Sequence, residues 1–100
     1  MTICIRVQNS YRNVVALCDS NLIGKYFEEG KRQLDIKEKF YKDKEVDFDE
    51  AVKIIQEQEH EDATFNIVGE ESIKAAIQAG VIKQENVDKI DNIPFTLTFL

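Results

Sequence analysis

Apolar positions along this chain change their spacing several times, and each change marks an element. TICIRVQ alternates, with Ile3, Ile5 and Val7 on one face, and NVVALCD resumes after a polar break around Asn9, Ser10 and Tyr11. Period-two alternation on both sides of a short polar break predicts an opening β-hairpin. If the aliphatic face of the first strand packs inward, Cys4 and Arg6 point the other way. In DFDEAVKIIQEQE the spacing lengthens: Phe48, Ala51, Val52 and Ile55 share one face of a helix, with Asp49–Lys53 and Lys53–Glu57 as opposite charges at i,i+4 on the other. Asp47 followed by Glu50 at N3 resembles a capping box. ATFNIV then reads as a strand, and GEESIKAAIQAG as a second helix that buries Ile73, Ala76 and Ile77. Gly69 marks the start of that helix and Gly80 its left-handed end, with Val81 and Ile82 packing just beyond. PFTLTFL closes the chain as a strand opened by Pro94, with Phe95, Leu97 and Phe99 expected on the core side and Thr96 and Thr98 on the other.

Between these elements the pattern weakens. DSNLIGKYFEEGKR, residues 19–32, reads as a loop pinned by Leu22, Ile23, Tyr26 and Phe27, with a cap at Asp19 or Ser20 and a bend at Gly24. Gly30 supplies the positive φ that returns QLDIK, residues 33–37, as a third strand. YKDKEV reads as a turn, and ENVDKI as a short strand or a single turn. The order predicts an α+β (mixed α/β) domain over residues 1–100: a single mostly antiparallel or mixed sheet that starts with a β-hairpin and carries two main helices.

Charge narrows the partners. Thirteen basic and nineteen acidic residues give a net charge of -6, which opposes attraction to duplex DNA or an acidic membrane. The balance is uneven: residues 1–45 carry a net +2 and residues 46–71 a net -8, so a weakly basic face can persist. Cys4 and Cys18 lack a CxxC spacing and, without a signal-peptide pattern, read as reduced thiols of a cytoplasmic protein, with a disulfide as the alternative. One histidine is too few for a zinc shell.

The candidate chemistry is sparse. Gly24-Lys25 resembles the end of a phosphate loop but lacks its first glycine and its Ser or Thr. His60 lies among Glu57, Glu59, Glu61 and Asp62 without the H-E-x-x-H spacing, and no GxSxG elbow accompanies Ser10, Ser20 or Ser72. No cofactor or metal is expected. Tyr26, Phe27, Phe40 and Tyr41 lie in or beside the segment 25–45, which holds seven basic and six acidic residues. Rings near cations are what single-stranded RNA stacks on, and the same rings also serve as core anchors. The helix after Gly69 already carries Glu70 and Glu71 in its first turn, where a phosphate would need the exposed N-terminal dipole. Asn66, an amide within an apolar strand, requires a bonding partner or a ligand.

The order ALCDSNLIGKYFEEGKRQLDI, KFY, TFNIVGEESIKAAIQAGVI and ENVDKIDNIPF resembles the small archaeal proteins catalogued as domain of unknown function 424, over nearly the whole chain. The residues that carry the resemblance are Asp19, Gly24, Lys25, Phe27, Glu29 and Gly30, then Phe40 and Tyr41, then Asn66, Gly69, Glu70, Ser72, Ala76, Ala79 and Gly80. It implies a stand-alone archaeal domain without an established activity. Three readings follow. The first is a non-enzymatic binding module that meets RNA or a translation-related protein through segment 19–41, with Asp19, Lys25, Glu29, Lys31, Arg32, Tyr41, Asn66 and Glu70 as contact residues. The second is a small enzyme whose polar site joins Asp19, Lys25 and Glu29 to Asn66 and Glu70. The third is a self-associating structural domain, a homodimer included.

Overall fold

The computed structural model describes residues 2–98. Strands β1 (Ile3–Gln8), β2 (Val14–Asp19), β5 (Lys44–Val46), β6 (Thr64–Val68), β7 (Asp88–Ile90) and β8 (Ile93–Thr98) form one sheet in the order β5-β1-β2-β6-β8-β7. Among the described residues only β2 and β6 run parallel, as a long crossover connection allows. The neighbouring pairs are antiparallel. The sheet is therefore mixed, and the chain has the α+β architecture expected of it.

Helices α2 (Phe48–His60) and α3 (Glu70–Ala79) cover one face. Against them pack Ile3, Ile5, Val15, Leu17, Phe65 and Ile67, which alternate along their strands with residues of the other face. The Glu50 N–H donates to Asp47 Oδ1 at 2.8 Å, the cap half of the expected box. Gly80 ends α3 at φ 87°, and Ile82 is buried just past it. The expected i,i+4 pairs of α2 do not close to ion-pair distance. The pair that closes is Glu71–Lys74 of α3, at i,i+3.

The other face is covered too, by a segment of which residues 19–32 read as a loop and QLDIK as a third strand of the one sheet; that strand belongs instead to a second, two-stranded sheet. After a 3-10 turn at Ser20–Leu22, β3 (Tyr26–Glu29) and β4 (Arg32–Asp35) pair as a separate hairpin, followed by the short helix α1 (Glu38–Tyr41). The hairpin loop is Gly30-Lys31 with Gly30 at φ 63°, so glycine stands first in a two-residue turn whose positive φ it adopts without strain. Phe27 and Leu34 face inward and, with Leu22, Ile36 and Tyr41, pack over Ala16, Cys18, Val68 and Ile90. Tyr26 belongs to the opposite side of the hairpin and is half exposed; the anchors are Leu22, Ile23, Phe27, Phe40 and Tyr41. KEV is the edge strand β5 rather than a turn, and ENVDKI is both a 3-10 turn and β7. The β7–β8 turn, Asp91-Asn92, has positive φ at both residues, as in the tight primed hairpin turns.

The closing strand departs furthest from expectation. Thr96 is buried and Leu97 is 51% exposed, so Leu97 does not reach a core, and Phe99 lies outside the described residues. The cause is the cover: the hairpin and α1 extend over only part of the second face, reaching Asn66 through Tyr41, and Leu97 lies one strand further on.

Candidate functional site

Two ends of the second face hold the polar residues that merit attention. At one end β2 and β6 finish side by side, Cys18 opposite Val68, and Asp19 leaves the sheet next to Gly69. Asp19 is 4% exposed. Its Oδ1 accepts from the Ser72 N–H and the Ser72 hydroxyl, both at 2.8 Å, and its Oδ2 accepts from the Glu71 N–H at 3.1 Å. A carboxylate from a strand fifty residues earlier thus caps α3 and occupies the position at which a helix N-terminus would bind an anion. Gly69 makes room for it: at φ 106° a Cβ there would stand 2.4 Å from Asp19 Cγ. The side chain of Ser72 is fully buried beneath the same carboxylate.

Above this cap lies a shallow cleft of about 210 Å³, lined by Asp19, Asn21, Leu22, Glu70, Asn92 and Pro94 among others. Asp19 and Glu70 therefore do meet, as loops 19–32 and 66–70 converge. Lys25, Glu29 and Asn66 do not join them. Glu29 accepts from the Asp91 N–H at 2.8 Å and ties the hairpin to the β7–β8 turn. Arg32 pairs with Asp88 at 2.6 Å and lies over the Phe95 ring. That arginine and the Lys89 N–H hold the Asp88 carboxyl below its usual range, the N–H contributing most. Asn66 accepts from the Tyr41 hydroxyl at 3.0 Å, which is the partner its position demands. Tyr41 is buried in the core and is not a surface contact. Lys31 lies exposed in the hairpin loop, and Gly24, at φ 82°, makes the bend before Lys25. The five polar residues of the enzyme reading are thus dispersed, and three of them are engaged in joining one element to another.

The thiols are part of the same packing. Cys4 and Cys18 stand directly opposite each other on β1 and β2, free and buried. Ser20 N–H donates to the Thr2 carbonyl across these strands. Two residues along, Cys4 and Cys18 therefore also form a hydrogen-bonded pair, with Cβ atoms about 5 Å or more apart, wider than the roughly 4.5 Å limit of an unstrained disulfide. Burial, then Asp19, then Cys4, push the Cys18 thiol up to about 12. Burial, then Cys18, push the Tyr41 hydroxyl up to about 12. Neither is a nucleophile near neutral pH.

At the opposite end the second face is open. Arg6, Ala16, Asn66 and Leu97 form one row across β1, β2, β6 and β8, and Gln8, Val14 and Thr64 the next. Ala16 lies under the cover, Gln8 and Leu97 are exposed, and the others are partly so. Beyond Gln8 and Val14 the β1–β2 turn carries Arg12 and a fully exposed Tyr11. No single-sequence signal identifies this surface, because it depends on how far the cover reaches. Among the described residues, no group of His, Cys, Asp and Glu is arranged to hold a metal ion, and no helix is long and apolar enough to cross a membrane.

Comparison with known proteins agrees with the fold. Residues 7–100 match the family described as "Protein of unknown function (DUF424)", and the chain belongs to that family. A solved structure, described as an uncharacterized conserved protein from Methanopyrus kandleri, is 25% identical over 98% of this chain and 90% of its own, with a TM-score of 0.89. No curated protein matches the chain.

Proposed function

We propose that this member of the DUF424 family is a non-enzymatic binding module of the archaeal cytoplasm, and that its contact surface is the open end of the sheet's second face. One observation carries this reading. At the closed end Asp19, Glu29, Arg32, Ser72 and Asp88 are spent on joining elements, with Asn21, Glu70 and Asn92 left to line the cleft, whereas at the open end Gln8 and Leu97 lie exposed on the sheet itself and Arg6 and Thr64 partly so. Segment 19–41, from which contact is expected on sequence grounds, acts here as the cover that sets where the surface begins. Its outward residues give the partner little purchase. Tyr26 sits between Glu28 and Asp35, whose carboxylates, after burial, raise its hydroxyl, and a ring flanked by two negative charges is poorly suited to stack on a nucleic acid.

The test is recovery of the tagged full chain from its own cells, with bound RNA and proteins retained, beside the Gln8→Glu/Leu97→Glu variant. The reading expects a defined partner with the native chain and its loss with the variant at unchanged thermal stability. Equal recovery by both chains, or a bound small molecule turned over by the native protein, contradicts it.

A further inference from the structure

From the open end of the sheet we infer that the partner is single-stranded RNA, laid across β1, β2, β6 and β8 and held at the β1–β2 turn; this rests on the binding-module reading above. The charge distribution is the first ground. In a chain of net charge -6 with nineteen carboxylates, the outward side chains of the two open rows are Arg6, Gln8, Val14, Thr64, Asn66 and Leu97, and none is acidic. The nearest carboxylates along β1 are Asp43, whose N–H donates to the Ile5 carbonyl next to Arg6, and Glu45, which stands opposite Cys4 on β5. The acidic end of α2 lies in the helix layer of the opposite face and adjoins the β1–β2 turn, where Asn13 Nδ2 donates to Gln58 Oε1 at 3.2 Å and the Thr64 N–H to the Asn13 carbonyl. Arg6 and Arg12 form no ion pair among the described residues, and neither do Lys25 and Lys31 of the cover, whereas Arg32, Lys37, Lys42 and Lys74 each do. The two arginines of this end are therefore free to meet phosphates, which a guanidinium does with a fork of donors.

The second ground is the kind of uncharged group present. Gln8 is exposed and Asn66 partly so, with its Oδ1 already engaged by Tyr41 and its amide NH₂ available as a donor. Donors and acceptors of this sort read the edges of unpaired bases. One ring stands beyond the rows, Tyr11 in the β1–β2 turn, with its whole side chain in solvent; Phe40, half-buried and edge-on to Tyr41 at 4.9 Å, belongs to the cover. A ring, an aliphatic side chain and amides on a sheet face make a platform on which unstacked bases rest. A duplex cannot use it, since its bases are already stacked and paired. Sheet and turn together offer two cations, so binding is expected to be modest in strength and to weaken with salt with a slope of about -1.4, as two phosphate contacts give for a single strand.

The experiment is fluorescence anisotropy of a labelled 12-nucleotide single-stranded RNA of mixed sequence with the full-length chain, across a salt series. Its arms are an RNA duplex of the same sequence, the variants Arg6→Ala/Arg12→Ala and Tyr11→Ala, and the hairpin variant Lys25→Ala/Lys31→Ala. The expected result is binding of the single strand over the duplex and a loss of about tenfold on removing either the arginine pair or the ring. The hairpin variant is expected to bind within about twofold of the native chain. Absence of binding to the single strand overturns the inference, as does equal binding of the duplex or greater sensitivity to the hairpin lysines. If RNA fails while a protein partner is lost in the Gln8→Glu/Leu97→Glu variant, the RNA inference falls and the module reading stands. If neither RNA nor a protein responds to changes on this face, both fall.

Discussion

The two ends of the sheet's second face are built from similar residue types and put to opposite uses. At the closed end an aspartate, a serine and a glycine meet with their bonds satisfied by one another, and an arginine is paired with Asp88. At the open end two arginines, two amides and an exposed leucine have few partners of their own. The contrast teaches that a buried carboxylate beside a glycine and a helix N-terminus is not in itself a site. What separates the two ends is whether the polar atoms are satisfied within the chain.

If the closed end is structural, the largest effect should come from Gly69→Ala. The new Cβ meets Asp19 at 2.4 Å, and φ 106° is strained for any side chain, so a loss of about 3 kcal/mol is expected in chemical denaturation. Asp19→Ala should cost about 2 kcal/mol through loss of the α3 cap. Combining the two sharpens the comparison. Without the carboxylate in its way, alanine at position 69 should cost measurably less than in the native chain, and full additivity would dismiss the contact as the cause.

A smaller effect concerns pH. Cys18 and Tyr41 each keep their proton in the folded chain up to about 12, against 9.0 and 10.0 for the free groups. The unfolded chain gives up these protons first, so the stability they contribute is whole below about pH 9 and drains away as pH rises toward 12. A urea midpoint that falls over this window, and falls less in Cys18→Ala/Tyr41→Phe, is the expected outcome. The smallest change is expected at the open end, where Leu97→Ser should alter stability by less than about 0.5 kcal/mol, because the side chain is already half in solvent. A larger loss would mean that this face is covered after all.

Much of the fold is legible in the spacing of residues, and the failures have physical causes. The helices α2 and α3 announce themselves because each has one buried and one wet face, and the β1–β2 hairpin and β6 because short apolar runs are bounded by polar turns. β3 is hidden because YFEE presents only Phe27 to the core, and β5 because three residues are too few for a period to appear. Leu97 misleads since alternation tells which residues share a face but not whether that face is covered. The site is less legible still. Asp19 reads as a local cap for the turn that follows it, and nothing nearby points to Ser72, fifty-three residues later. The open face is assembled from β1, β2, β6 and β8, and no stretch of sequence shows that the cover stops at Tyr41 and Asn66. Asn66 itself poses the right question, and Tyr41 answers it.

The central claim is that the closed end holds the chain together and the open end meets the partner. Its most direct test is an amide NMR titration of the isotopically labelled chain with the 12-nucleotide single-stranded RNA. The account predicts that the signals of Arg6, Gln8, Arg12, Val14, Thr64 and Leu97 move while those of Gly69, Glu71 and Ser72 stay in place. Shifts centred on Asp19 and Gly69–Ser72, or on the hairpin from Tyr26 to Asp35, would contradict it.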